Sequence, residues 1–148
     1  MAVHDGPKVK DALTHIARSI LASEVGHATS AEQIATSVTR TCEKLVDHLT
    51  PVLGELGIRT LFARSVTLTH ATHSWLAIPG TAPSEARWAG LRACIATQPP
   101  DAAIEGSVAL LANFMGILGR FIGDGLTARL LRDLWPDAFS TKSSEESS

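Results

Sequence analysis

Residues 106–119 read GSVALLANFMGILG, a run from Gly106 to Gly119 without one charged side chain. Leu110, Leu111, Phe114, Met115, Ile117 and Leu118 crowd it, and at helical spacing they cover every side of the cylinder. A helix apolar all round is the buried centre of a bundle. This run is too short for the twenty or so residues that a bilayer crossing needs. Punctuation extends it in both directions: Pro99-Pro100 and a possible cap at Asp101 lie before Ala102, and Gly123-Asp124-Gly125 follows Ile122. The fold is read outward from this helix over 102–122.

Upstream, Val9, Leu13, Ile16, Ala17, Ile20 and Leu21 recur at gaps of three and four, one apolar stripe over 8–23. Ser30 followed three residues later by Gln33 forms a capping box before the stripe of Ile34, Val38, Cys42, Leu45, Val46 and Leu49. Thr50-Pro51 reads as a fresh start, because proline at the first helical position loses no hydrogen bond. Past Gly54 and Gly57 the helical stripe resumes near Ile58 and runs through Leu61, Phe62 and Val66 toward His73 or Leu76. Val66 to His70 alternates like a strand, but a strand would have no partner elsewhere, so helix is expected. Residues 78–83 form a loop, Ser84 caps a helix over 85–97, and a last amphipathic helix covers 126–135.

The expected fold is therefore all-α: one domain over 8–139, a bundle of six or seven helices around 102–122. Residues 1–7 read as a flexible arm, and the Ser-rich tail 140–148 as disordered. No internal repeat is visible.

Composition narrows the function classes. The 148 residues are 45% hydrophobic and 19% charged, which excludes disorder for most of the chain. Thirteen basic residues against fifteen acidic ones leave a net charge of −2, so no field is aimed at nucleic acid. Asp124 and Asp133 count against reading 126–135 as a recognition helix. Two cysteines, Cys42 and Cys94, fit a reducing compartment, and no basic-then-apolar leader opens the chain. A cytoplasmic location with no membrane partner is expected.

Catalytic and metal signatures are sparse. His70 and His73 share one helix face, but no HExxH or CxxC accompanies them. The pattern of a globin fails, since Phe62 is the only phenylalanine before His73 and no histidine follows. There is no GxSxG, no phosphate loop and no tyrosine, so no enzyme and no cofactor is expected. Arg59 and Arg64, like Arg87 and Arg92, are five apart and read as solvated charges. An anion pocket would need the two pairs to converge.

Small residues carry the sharper signal. Ala112, Gly116, Gly119 and Gly123 lie four or three apart, and glycine inside a helix costs about 1 kcal/mol, so a close approach of another backbone is implied. Asn113 is the one strongly polar side chain in the uncharged run. The expectation is a non-catalytic regulatory or protein-interaction module that works as a homodimer and meets a further, unidentified protein. Its interface would use Asn113, Gly116, Gly119, Gly123, Leu130 and Trp135. The alternative is a sensor of a small ligand, haem or metal, with Phe62, His70, His73, Trp75, Phe114 and Phe121 around an apolar pocket.

Overall fold

In a computed structural model that describes residues 2–78 and 84–136, the chain is all-helical, with six helices and no strand among those residues. They are α1 (Ala2–Val25), α2 (Ala31–Leu53), α3 (Glu55–His70), α4 (Ser84–Ala96), α5 (Pro100–Ile122) and α6 (Asp124–Leu134). The capping box at Ser30 forms as the sequence implies: its side chain accepts from the Gln33 amide, and Gln33 Oε1 accepts from the Ser30 amide.

Four local expectations are corrected. The stretch expected as an arm, 1–7, is helical from Ala2 on; the fixed φ of Pro7 is compatible with a helix, at the loss of one backbone bond. Pro51 does not open a new helix but lies within the last turn of α2, and Gly54, at φ +82°, makes the break. The helix expected to run to His73 or Leu76 stops at His70, and the turns beyond it bring Leu76 into the core. Finally, α5 starts at Pro100 and α6 at Asp124, each two residues earlier than the apolar pattern suggested. The tail 140–148 and most of the 78–83 loop lie outside the described residues.

The strand-like stretch from Val66 to His70 is helical. Thr60, Ser65, Thr67 and Thr69 each donate a hydroxyl to the carbonyl four residues earlier, so their polar groups are satisfied within the helix.

The centre of the bundle is shared. Both α2 and α5 lie close to all five other helices, whereas the backbones of α1, α3, α4 and α6 approach only those two. One continuous core results, from Ala17, Ile20 and Leu21 of α1 to Leu131 of α6 and Trp135 beyond it. The α5 helix is long and apolar enough to cross a membrane by length and composition, and 56% of its most apolar window is buried against protein. Trp75 against Gly106, Thr69 against Asn113 and Phe62 against Phe114 set α3 and α5 antiparallel.

A repeat that the sequence does not display emerges from the helices. Both α2 and α5 are 23 residues long, and each ends on a positive-φ glycine whose amide bonds back four residues, Gly54 to Thr50 and Gly123 to Gly119. Aligned on those glycines, buried positions fall on buried positions: Ile34 on Ala103, Cys42 on Leu111, Leu45 on Phe114, Leu49 on Leu118, Phe62 on Leu131 and Val66 on Trp135. Packing follows the same rule, since α1 lies mainly on α5 and α4 on α2. The order α1–α2–α3 is thus echoed by α4–α5–α6, with the first helix of each half packed on the other half's central helix. Core positions accept any apolar residue of suitable volume, so the pattern persists where the letters have changed.

Candidate functional site

The residues expected at an interface are largely engaged inside the chain. Asn113 donates to Thr69 Oγ1 at 2.9 Å, tying α5 to α3. A Cβ on Gly116 would rest 3.5 Å from Leu13 Cδ1, so that glycine lets α1 lie close along α5. Gly119 faces the Asp124 carboxylate, and a Cβ there would fall 2.6 Å from Oδ1. Leu130 packs on the core, and Trp135 is 4% exposed with its indole bound to Glu24. Only Gly123, in the α5–α6 corner with open space around it, faces outward freely.

The residues expected around an apolar pocket do not share one cavity. Phe62 and Phe114 meet edge to face at 6.3 Å beside an interior void of about 10 Å³, room for one water at most. Cys42 lines the same void, and burial pushes its thiol up to about 12. His70 opens onto a separate groove of about 480 Å³ with Val66, Thr67, Leu76, Ala77 and Ile78. Its Nδ1 lies 3.1 Å from the Leu76 carbonyl oxygen, a hydrogen bond in the Nδ1–H tautomer. His73 lies edge-on to Trp75 at 6.3 Å with its Nδ1 2.9 Å from Thr72 Oγ1, and Phe121 is out in solvent. No group of three or more His, Cys, Asp or Glu among the described residues is placed to hold a metal ion.

The feature that sequence reasoning missed is Arg87. Read as a solvated charge, it is 6% exposed, enclosed where α4 meets α2 and α3. Its guanidinium carbon lies 5.2 Å from the Trp88 ring centroid and 5.7 Å from that of Phe62, themselves packed edge to face at 5.3 Å. Among the described residues it makes no hydrogen bond and no ion pair. Burial lowers its pKa, as does the nearby positive charge of Arg59, against an opposing pull from Glu55.

Arg87 lines a cleft of about 370 Å³ with Val46, Asp47, Thr50, Pro51, Glu55, Ile58 and Trp88. Arg59 stands nearby with its Nε buried and unpartnered. The two arginine pairs of the sequence therefore converge by one member each, while Arg64 and Arg92 stay exposed. Spacing could not reveal this, because the decisive neighbours come from α2 and α3. The only sequence hint was the placement of Arg87 beside Trp88, one turn before the buried Leu91. No protein-family model matches the chain, and no curated protein and no solved structure matches it either.

Proposed function

We propose that the protein is a non-enzymatic helical interaction module that pairs with a second copy of itself. The observation that carries this reading is where the exposed large apolar side chains lie. Of the five large exposed apolar side chains among the described residues, Val52 (49% exposed) and Leu56 (73%) flank the α2–α3 corner, and Phe121 (64%) and Leu126 (39%) the α5–α6 corner. Leu68 (46%) stands apart near the end of α3. The antiparallel register of α3 and α5 carries the end of α5 toward the start of α3, so the two corners lie toward one end of the molecule. Val52 and Phe121 are also equivalent positions of the two halves. Exposed apolar groups gathered in one region mark a contact surface, and a two-fold pairing buries the same patch on both partners.

Such a pairing leaves α1 and α4, which carry none of these four side chains, free to meet a further protein, which suits a regulatory role. Engagement of Asn113, Gly116 and Trp135 within the chain moves the expected contact from the middle of α5 to its end, with Gly123 between Phe121 and Leu126.

Sedimentation equilibrium tests the proposal. At about 100 µM, far above a Kd of about 1 µM, the protein should be dimeric, and Phe121→Asp should be monomeric with its helical circular dichroism unchanged. A wild-type monomer at that concentration rejects it, and so does a folded Phe121→Asp dimer.

A further inference from the structure

We propose that the cleft between α2, α3 and α4 binds a small zwitterion, a free amino acid with an apolar side chain, with Arg87 holding its carboxylate. This stands apart from the self-pairing above and uses different residues.

The first argument is the state of Arg87. Arg87 is 6% exposed and makes no ion pair among the described residues, so the donors of this cleft-lining side chain are not matched by a bonded anion. Its neighbour Arg59 adds repulsion and carries its own buried, unpartnered Nε. Arg87 lines the cleft without a hydrogen-bonded anion, and a planar carboxylate matches its fork.

The second argument is charge balance. Asp47 and Glu55 line the same cleft as Arg87, and Arg59, outside the lining, is close enough to act on Arg87, so two carboxylates stand near two guanidinium groups. A phosphate dianion would meet both carboxylates without a cation of its own. A ligand with one carboxylate and one ammonium satisfies both signs. Trp88, Ile58, Val46 and Pro51 supply the apolar wall for its side chain, and 370 Å³ is within the range of small-ligand pockets.

The third argument comes from the internal repeat. The equivalents of Asp47, Thr50 and Arg59 in the other half are Gly116, Gly119 and Ala128. That half is closed by Leu13 against Gly116 and by Asp124 over Gly119. Glu55 has an acidic counterpart in Asp124, but Asp47 and Arg59 have no charged counterpart, so the shared fold does not require those two charges.

The test is calorimetric titration of the full chain with L-phenylalanine and L-leucine. 2-Phenylethylamine, 3-phenylpropionate and inorganic phosphate serve as probes that each lack one feature. The expected result is binding of at least one amino acid, with the amine and the acid each weaker by about tenfold or more. Arg87→Met should abolish that binding while the melting temperature holds, since it keeps an unbranched apolar stem against Phe62 and Trp88 and breaks no ion pair. Arg59→Gln, at a less enclosed position, should weaken it about tenfold and decides the matter if Arg87→Met does not fold. No heat with either amino acid at about 5 mM overturns the proposal. It is equally overturned by phosphate or 3-phenylpropionate binding as tightly as phenylalanine, or by a folded Arg87→Met variant that binds like the wild type.

Discussion

The indole N–H of Trp135 donates to Oε2 of Glu24 across 2.7 Å, joining the residue after α6 to the last turn of α1. Lys44 of α2 reaches the same oxygen at 2.8 Å and lies 5.7 Å from the Trp135 ring centroid. One carboxylate thus closes three segments of the bundle together.

That carboxylate makes stability depend on pH. Burial alone would raise the Glu24 pKa, but the hydrogen bonds from Lys44 and Trp135 outweigh it and hold the group below its ordinary 4.5. A depressed carboxyl pKa contributes stability above the unfolded value, and the contribution is lost as pH falls through the folded one. Melting temperatures from neutral to about pH 3 should therefore fall more steeply for wild type than for Glu24→Gln, which should be less stable at neutral pH by about 1–3 kcal/mol. Parallel curves for the two proteins would sink this account.

Asn113 and Thr69 form the matching polar link between α5 and α3. Thr69 is fully buried and its own hydroxyl donates to Ser65, so its oxygen is available to accept from Asn113. Asn113→Ala should cost about 1–2 kcal/mol in urea unfolding, and Thr69→Val a similar amount. The double variant should cost less than the sum of the two, because the second change removes a group already unpaired. Simple additivity would show that the two side chains do not interact.

Two helical glycines should respond in opposite ways to alanine. At Gly106 a Cβ would run into the Trp75 ring, which must shift as a rigid unit, so Gly106→Ala should destabilise by about 1–3 kcal/mol. At Gly119 the obstacle is the end of the exposed Asp124 side chain, which can swing away. Gly119→Ala should then be neutral or gain up to about 1 kcal/mol in helix propensity. Thermal unfolding of both variants settles whether the small-residue positions are equivalent.

The thiols should separate cleanly. Cys42 is buried and its pKa is pushed up to about 12, whereas Cys94 is half-buried with its Sγ 3.5 Å from the Ala77 carbonyl oxygen. A native titration with an aromatic disulfide reagent should count one thiol, and a denatured one both. Rapid reaction of two thiols in the native protein would mean that the Cys42 region opens readily.

Local order was written in the chain, and some of its edges were not. The apolar stripes of 34–49 and 106–119 mark helices because a 3.6-residue period can bury only one arrangement of side chains. Ser30 and Gln33 announce a cap that needs nothing beyond four consecutive residues. Pro51 misled because a proline ring suits the first turn of a helix and can also be carried in the last, and the choice rested on Gly54. The repeat stayed hidden because volume and burial are preserved where residue identity is not, as Cys42 and Leu111 illustrate.

What the amino-acid sequence determined alone was the all-α class, most of the helix spans and the burial of 106–119, since these depend on contacts within a turn or two. What only the tertiary structure decided was which side chains meet. It enclosed Arg87 against Phe62 and Trp88, beside Arg59 and two carboxylates, while it split the expected pocket residues among separate places. Whether a charge is solvated or buried depends on what other helices bring to it, and no spacing along its own helix carries that information.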